Sequence, residues 1–447
     1  MIKTFDVLVV GSGIAGVYTA LNLNSNLNIL LICKEGLKDC NSYLAQGGIS
    51  SALNSDDFPS YIEDTLKAGN YKNDLDAVQT LVSESKKNIE RLINYGVPFD
   101  RKKDGSLLYT REGGHSTFRI AHVKDETGKY IMETLYERLK ERNNIKVIEH
   151  CKLVDIIRKD NKCLGGICIH NGQEIQIHAK CTILATGGLG GLFKSTTNFP
   201  FLTGDGIAIA LKHNVAIKDI NYLQLHPTVL YEPDCIGKRL LLSESLRGEG
   251  GKLKNLDNEE FVDSLKPRDV VSKAILEEIK KHPDKPYVYL DLTHLDKNFL
   301  MNRFPFLYNA CAERGYYMEK DLLPVSPAHH YAMGGIKINL YGETSLNSLY
   351  ALGEAACTGV HGNNRLASNS LLEGIVFGYR CAKKINSELF VTNNSNYPSK
   401  EDVIDYLKER VDENYVKLLN YWWYNTKRFK WRYAFWWYNN LKYNTRR

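Results

Sequence analysis

The sequence predicts an α/β protein with a Rossmann-like domain, an inserted α+β capping domain and a short C-terminal helical tail. The prediction rests on a glycine-rich turn between a strand and a helix near the N-terminus, two later strands that end in glycine turns, and a change of composition near the C-terminus. We expect the Rossmann-like domain at residues 1–220 and 331–390, the capping domain at 221–330, and the tail at 391–447.

The N-terminal βαβ unit is the strongest of these signals. An apolar strand is predicted at residues 5–10, a helix at 17–23 and a second strand at 28–33, with the G-x-G-x-x-G pattern of residues 11–16 at the first turn. In such a turn the first glycine allows the tight bend, the second lets the backbone approach a pyrophosphate, and the third lets helix and strand pack closely.

The end of the second strand departs from the usual pattern. An acid normally stands there to bind a ribose. Cys33 and Lys34 occupy the place here, and Glu35 comes too late. We therefore count Lys34, and not Glu35, among the cofactor-binding residues.

Two later strands also run into glycine turns. They are C-T-I-L-A-T-G-G at residues 181–188 and L-Y-A-L-G-E at residues 349–354. Each alone indicates no more than a buried strand before a turn. All three in this order indicate a large FAD-binding domain, whose chain returns to the flavin after long insertions. After Gly378 a helix is predicted to about Leu389.

The composition excludes several classes of protein. With 43% hydrophobic and 25% charged residues, the chain is an ordinary globular sequence. A net charge of +6 suits anionic ligands but predicts no nucleic-acid binding. Ten cysteines without a C-x-x-C pair predict buried, reduced thiols and no metal site. With no apolar run of membrane-spanning length and a first strand beginning at Phe5, we expect a cytoplasmic protein without a signal peptide.

The C-terminal tail has an unusual composition. All five tryptophans lie within residues 422–437, and from Asn414 onward there are eight Lys or Arg residues and no acid. We predict a short helix packed on the main body. An interfacial membrane anchor is the alternative, because Trp, Tyr, Lys and Arg suit the depth of lipid headgroups.

Polar clusters with no evident role in a core lie between these elements. They are T-R-E-G-G-H-S at 110–116, Q-L-H-P-T at 224–228 with S-E-S-L-R-G-E-G-G at 243–251, P-R-D at 267–269, and P-A-H-H-Y-A-M-G-G at 327–335 with H-G-N-N-R-L-A-S-N-S-L-L-E at 361–373. Singly, each has an ordinary explanation as a surface histidine or a salt bridge. Together they supply the arginine forks, histidine donors and hydroxyl needed to clamp two carboxylates.

With these motifs the sequence resembles the L-aspartate oxidase family, within the superfamily of fumarate reductase and succinate dehydrogenase flavoproteins. The resemblance runs from about residue 4 to about residue 385. Its motifs stand in family order: S-Y-L-A-Q-G-G-I, T-R-E-G-G-H-S, L-H-P-T, S-L-R-G-E-G-G, P-R-D-V-V, H-Y-A-M-G-G and N-N-R-L-A-S-N-S-L-L-E-G. The tail has no recognisable similarity to the longer helical domain that usually forms the C-terminus of family members.

The resemblance implies FAD, bound non-covalently because relatives that bind it covalently use a histidine where Asn41 stands. The residues expected at the cofactor lie in the glycine turns and neighbouring loops. They are Gly11, Ser12, Gly13, Gly16, Lys34, Asn41, Ser42, Ala45, Gln46, Gly47, Gly48, Ala185, Thr186, Gly187, Asp205, Glu354, Ser370 and Leu371.

The resemblance also implies a substrate site. Arg365 and His330 are expected to hold one carboxylate of the substrate. His226 and Ser243 are expected to hold the other, with Ser243 standing where the family has threonine. Arg268 stands at the position where the family has its proton-transfer arginine.

The implied reaction is oxidation of L-aspartate to iminoaspartate. Electrons then pass to dioxygen, giving hydrogen peroxide, or to fumarate, giving succinate. Quinolinate synthase is the implied next enzyme, on the route to NAD.

Two other functions are considered. A fumarate reductase or succinate dehydrogenase flavoprotein is disfavoured by Asn41 and by Glu112, since those relatives carry an apolar residue where Glu112 offers a partner to a substrate ammonium. A flavin-binding module without catalysis is disfavoured because Arg268, His226 and the other expected catalytic residues are present.

Overall fold

The computed structural model describes residues 2–391, so the predictions for the tail lie outside the described residues. The strands are β1 (Ile2–Val10), β2 (Ile29–Ile32), β3 (Ile49–Ser50), β4 (Tyr109–Thr110), β5 (Ile120–Ala121), β6 (Ile145–Ile148), β7 (Cys151–Lys159), β8 (Lys162–His170), β9 (Gln173–Leu184), β10 (Ser195–Thr196), β11 (Ile217–Lys218), β12 (Leu223–Leu230), β13 (Gly237–Lys238), β14 (Lys252–Lys254), β15 (Val288–Asp291), β16 (Leu323–Ala332), β17 (Gly335–Lys337), β18 (Leu349–Ala351) and β19 (Ala356–Cys357). The α-helices are α1 (Ile14–Asn22), α2 (Phe58–Ala68), α3 (Leu75–Tyr95), α4 (Thr127–Lys140), α5 (Asp205–Lys212), α6 (Glu244–Gly248), α7 (Arg268–Lys281), α8 (Lys297–Arg303), α9 (Pro305–Ala312) and α10 (Asn369–Val391).

The largest sheet has the order β6-β2-β1-β9, all parallel, and β9 continues into the antiparallel hairpin of β8 and β7. β18 also pairs in parallel with the end of β9. Leu184 lies opposite both Val10 and Ala351, so the carboxyl ends of β1, β9 and β18 meet at one edge of the sheet. The three predicted returns of the chain are therefore confirmed, and ligands of open α/β sheets bind at this edge.

Both faces of this sheet are covered, which explains the continuous apolar runs of its strands. Val7, Val9, Ile29 and Leu31 contribute to one core with α1, α3, α4 and α10. Their neighbours in the same two strands contribute to a second core with β7 to β9 and α5. Successive side chains point to opposite faces, so each strand supplies both cores.

Helix α10 begins earlier than the sequence predicts. Its first residue is Asn369, so it passes through both Gly374 and Gly378. A Cβ at Gly374 would press on Ile14, and one at Gly378 would press on Thr19. These glycines are the contact points at which α10 packs closely against α1, and they do not interrupt the helix.

A second sheet, of order β13-β10-β16-β15-β14 with β12 also on β16, lies beyond this edge. With α6 to α9 it encloses a third core that extends from Leu230 to Val325. β10 precedes residue 221 and β16 continues past residue 330. The α+β capping segment is thus present as expected, while its boundaries at 221 and 330 stay a prediction.

All ten cysteines are free thiols, and nine of them are buried, in keeping with the expectation from their spacing. Within residues 2–391, none of the helices combines the length and the apolarity that crossing a membrane requires.

Candidate active site

A cavity of about 720 Å³ lies between the carboxyl edge of the large sheet and the capping segment. Its wall contains every residue that the sequence predicts for cofactor and substrate, except Gly16. The structure therefore brings together residues that are far apart in the sequence, the first being Gly11 and the last Leu371. Gly16 lies just behind the wall, where a Cβ would overlap the carbonyl oxygen of Gly11.

The turn after β1 needs glycine for two reasons. Gly11 has a φ of +120°, and a Cβ on it would overlap the carbonyl oxygen of Ala185, at the end of the neighbouring strand. Helix α1 begins three residues later, and the Ile14 N–H donates to Ser42 Oγ at 3.0 Å. The turn and the first residues of α1 thus form a main-chain cradle at a helix N-terminus, which suits a pyrophosphate.

At one end of the cavity Lys34 occupies the place of the missing ribose acid. Its Nζ forms an ion pair with Asp205 at 2.9 Å and donates to the carbonyl oxygen of Phe201 at 2.7 Å. Burial would raise the pKa of Asp205, but the positive charges of Lys34 and Lys152 lower it. In place of an acid, the end of β2 is therefore followed by a lysine that pairs with Asp205.

Asn41, Gln46 and Glu354 line the middle of the cavity. Asn41 donates to Asn198 Oδ1 at 2.8 Å, and Glu354 accepts the Ala332 N–H at 3.0 Å. Burial raises the pKa of Glu354 to about 7. The Gln46 amide nitrogen donates to the Leu241 carbonyl at 2.9 Å, and its oxygen has no partner among residues 2–391.

Several buried polar atoms in this wall have no hydrogen-bond partner among the described residues. They are Gln46 Oε1, Thr186 Oγ1, His226 Nε2 and Arg365 Nε. Buried polar groups in proteins are nearly always satisfied, so such a cluster around one cavity indicates a polar ligand. The main-chain cradle and these atoms fit FAD with a small acidic substrate beside it.

His226 and His330 face each other, with ring centroids 5.0 Å apart. His226 Nδ1 accepts the Thr228 N–H at 3.3 Å, and His330 Nδ1 bonds to the Thr197 hydroxyl at 2.7 Å. Burial, followed by the charge of Arg268, holds the pKa of both imidazoles well below the usual value. Both rings are therefore neutral hydrogen-bonding groups at neutral pH.

Arg365 is held by one hydroxyl and one aromatic face. Its Nη1 donates to Ser370 Oγ at 3.0 Å, and its guanidinium lies 4.6 Å from the centroid of the Tyr331 ring. Tyr331 is anchored in turn by a hydrogen bond to Glu373 at 2.9 Å. Burial, followed by the charge of Arg268, lowers the pKa of Arg365 to about 10, so it stays a cation at neutral pH.

Arg268 is the first residue of α7 and is 7% exposed. Its Nε forms a buried ion pair with Glu244, whose other oxygen lies 3.1 Å from Arg247. Its Nη1 donates to Gln224 Oε1 at 3.0 Å. A continuous row of buried charges, Arg268–Glu244–Arg247, therefore leads from the cavity into the capping core.

Ser243 precedes α6 and caps it. Its hydroxyl accepts the Ser245 N–H at 3.3 Å and shares a hydrogen bond with Ser245 Oγ at 2.7 Å. The residue lines the cavity, so its hydroxyl serves the helix and faces the ligand space together.

Glu112 is 3% exposed and accepts a hydrogen bond from Ser368 Oγ at 2.5 Å. Burial, followed by repulsion from Glu244, raises its pKa. A loop carboxylate commonly forms a salt bridge with a neighbouring base, and Arg111 is adjacent in the sequence. The Arg111 guanidinium instead lies 5.5 Å from the centroid of the Phe118 ring, and no ion pair of Glu112 occurs among residues 2–391.

Sequence reasoning missed several residues of this site. Glu244, Arg247 and Gln224 were visible inside the quoted motifs, but nothing in their spacing indicates that they contact Arg268. Thr197 and Asn198 follow the second glycine turn in a segment without any motif. Their roles become apparent only from the pairing of β10 with β16, which brings Thr196 opposite His329.

The chain matches the FAD binding domain family over residues 6–371. Among solved structures it is similar to a variant of E. coli quinol fumarate reductase, with a TM-score of 0.84 and 31% identity over 91% of this chain and 73% of that one. A quinol-fumarate reductase with menaquinol molecules gives a TM-score of 0.85 at 31% identity, over 92% and 76% of the two chains. Fold and site together thus define a FAD-binding oxidoreductase of the fumarate reductase type.

The curated relatives are more specific. The chain is 52% identical to an L-aspartate oxidase of Clostridium acetobutylicum over 390 residues, which is 87% of this chain and 90% of that protein. It is also 52% identical to an L-aspartate oxidase of Clostridium perfringens, over 87% and 88% of the two chains. The chain belongs to the L-aspartate oxidase family.

Proposed function

We propose that the protein oxidises L-aspartate to iminoaspartate with FAD as its cofactor. The family supports this activity, and one feature of the cavity carries it beyond a general dicarboxylate site. Glu112 is a buried carboxylate without a cationic partner among the described residues, in the same wall as two arginines and two neutral histidines. A substrate with one ammonium and two carboxylates complements this set of charges.

The two carboxylates of aspartate have separate ligands in the proposal. Arg365 and His330 hold one, and His226 with Ser243 holds the other. The nitrogens Arg365 Nε and His226 Nε2 support this division, since each is buried, has no partner in the described part of the chain and needs an acceptor. Fixing both ends of a four-carbon chain orients its Cα and removes much of the entropic barrier to reaction.

Oxidation removes a hydride from Cα and a proton from nitrogen. Glu112 takes up the proton of the substrate ammonium, which frees the lone pair that stabilises the developing iminium. Burial and Glu244 raise the pKa of Glu112, and a carboxylate with a raised pKa is a better proton acceptor. When bound, FAD supplies the two-electron acceptor, which passes its electrons to dioxygen or to fumarate.

Arg268 serves the reverse type of step, the delivery of a proton to a substrate carbon during fumarate reduction. Its ion pair with Glu244 and the contact of Glu244 with Arg247 support this role, because they connect Arg268 to a row of exchangeable protons.

FAD is held without a covalent bond in this proposal. Asn41 lacks the ring nitrogen to which a flavin methyl group can be attached, and both ends of its amide already contact Asn198 and Phe199. Acid precipitation should release a yellow supernatant and leave colourless protein. Flavin that remains with the pellet would contradict non-covalent binding.

Iminoaspartate, the product, is the substrate that quinolinate synthase uses on the route to NAD, so that enzyme is the proposed functional partner. A cytoplasmic location completes the proposal, and ten free thiols suit a reducing compartment.

A fumarate reductase or succinate dehydrogenase activity is the second candidate. Similarity to quinol fumarate reductases at 31% identity favours it. The two candidates share the carboxylate ligands and differ in whether the substrate carries an amine.

Anaerobic mixing separates them. The purified holoprotein is mixed with L-aspartate or with succinate while the flavin absorbance is followed at roughly 450 nm. We expect rapid bleaching with aspartate and slow or no bleaching with succinate. Bleaching by succinate alone would overturn the proposed function.

A further inference from the structure

The Glu112 carboxylate has two different surroundings. Its Oε2 accepts the hydrogen bond from Ser368, and its Oε1 lies against the backbone of Gly47, where a Cβ would overlap it. Gly47 and Glu112 both line the cavity. Only glycine at position 47 therefore leaves room for the carboxylate, while Ser368 is the group that orients it.

Ser368 has an uncommon backbone conformation. Its φ is +62°, in the left-handed region that a serine rarely adopts. Three hydrogen bonds hold it there. The Ser50 N–H and hydroxyl both donate to the Ser368 carbonyl at 3.1 Å, and the His115 ring donates to the preceding carbonyl, of Ala367, at 2.9 Å. The Ser368 hydroxyl is thus fixed opposite Glu112 by contacts that do not involve Glu112.

Charged groups from several elements surround Glu112. Glu244 and Arg247 belong to α6, Arg268 begins α7, and Arg365 lies in the loop before α10. Burial and Glu244 raise the pKa of Glu112, whereas the Ser368 hydrogen bond, Arg268 and Arg365 lower it. Among the described groups that favour the ionised form, Ser368 is the one in direct hydrogen-bond contact.

We propose that Ser368 is a positioning residue that aims the Glu112 carboxylate at a substrate ammonium group, and so sets the preference of the site for an amino dicarboxylate over a plain dicarboxylate. This inference rests on the proposed function. A hydroxyl that donates to one carboxylate oxygen leaves the other oxygen to receive the ammonium. Fumarate has no amine, so its reduction does not need this arrangement.

The test compares Ser368→Ala with Ser368→Gly. Both remove the hydroxyl, but glycine also relieves the left-handed backbone, so effects that they share belong to the hydroxyl. We expect kcat/KM for aspartate oxidation to fall about 10-fold or more in both, the usual consequence of losing a hydrogen bond to a charged group. Fumarate reduction by the pre-reduced protein should change little. Ser387→Ala, on the exposed side of α10, is the matched control.

The pH profile distinguishes positioning from general structural support. Without the hydroxyl the pKa of Glu112 rises further, so the acid limb of aspartate oxidation should move to higher pH. Unchanged acid limbs, or equal losses with aspartate and fumarate, would overturn the inference. Recovery of full activity in Ser368→Gly alone would overturn it too, because the backbone would then be responsible. A wild-type protein that fails to oxidise aspartate would instead refute the proposed function.

Discussion

The two ends of the cavity are built from different materials. At the cofactor end, the wall consists of main-chain turns at the ends of β1, β9 and β18, and its charges are paired, as in Lys34–Asp205. At the substrate end, the wall consists of long polar side chains, and two of their nitrogens, His226 Nε2 and Arg365 Nε, lack partners among the described residues. The first end is therefore specified by backbone geometry, and the second by the identity of individual side chains.

This difference determines what a substitution does. At the cofactor end a methyl group in the wrong place distorts the sheet edge and affects everything that depends on FAD. At the substrate end a change of one functional group alters a single chemical step and leaves the cavity intact. The following predictions test that contrast, from the largest expected effect to the smallest.

Gly11→Ala should abolish every activity. The added Cβ would overlap the Ala185 carbonyl at a φ of +120°, which costs about 3 kcal/mol or more in strain and overpacking. The protein should be isolated largely without FAD, as measured by the ratio of flavin absorbance to protein. Gly105→Ala is the matched control, since Gly105 also has a positive φ but no described residue lies within 4 Å of where its Cβ would be. Full FAD content in Gly11→Ala would show that the turn tolerates a side chain.

Arg268→Lys should lower the turnover of fumarate reduction about 10³-fold while FAD stays bound. Lysine keeps the charge but lacks the planar fork that contacts Glu244 and Gln224 together. Inhibition by succinate should weaken much less than turnover falls. Arg380→Lys, on α10, controls for the general effect of the exchange. Near-normal turnover in Arg268→Lys would move the proton-transfer role elsewhere.

Glu112→Gln should reduce aspartate oxidation about 10²-fold, the usual scale for loss of a positioned proton-transfer group. Fumarate reduction by the pre-reduced protein should fall much less, because fumarate has no amine to contact. Steady-state rates with both substrates provide the measurement. Equal losses would mean that Glu112 is structural, and the preference for aspartate would then rest on family membership alone.

Glu354→Gln should have the smallest effect, on the pH dependence of stability. Burial raises the pKa of this carboxyl from 4.5 to about 7, so the folded protein favours the neutral form. The stability this contributes is complete below pH 4.5 and is lost as pH rises through 7. The melting temperature of the FAD-free protein should therefore fall less steeply over that range in Glu354→Gln. Parallel curves for variant and wild type would contradict the assignment.

The sequence predicts the cofactor end better than the substrate end, because the cofactor end consists of main-chain turns between residues that are neighbours in the chain. Gly11, the strand before it and the helix after it are neighbours in the chain, so local pattern contains the whole turn. The same holds for the turns at residues 185–188 and 353–354. The early start of α10 is not predicted, because the close contacts of Gly374 and Gly378 with α1 cannot be read from the sequence.

At the substrate end the informative contacts are long-range. Glu112 and Ser368 are separated by 256 positions, and His330 and Thr197 by 133. No periodicity or spacing can indicate such pairs, and resemblance to a family names the residues without giving their contacts. The supporting residues Gln224 and Glu244 therefore emerge only when the capping segment is folded over the sheet edge.

Strand β16 is the central strand of the capping sheet and extends from the core of that sheet to the cavity. Val325 pairs with β12 and β15, His330 reaches the cavity five residues later, and the Ala332 N–H donates to Glu354 beside the cofactor. His226 is on the neighbouring strand β12, whereas Arg268 begins helix α7. Arg268 is nevertheless tied to the same strand pair, because it donates to Gln224 on β12. A shift in the register of β12 against β16 would therefore displace the two histidines and the arginine contact together.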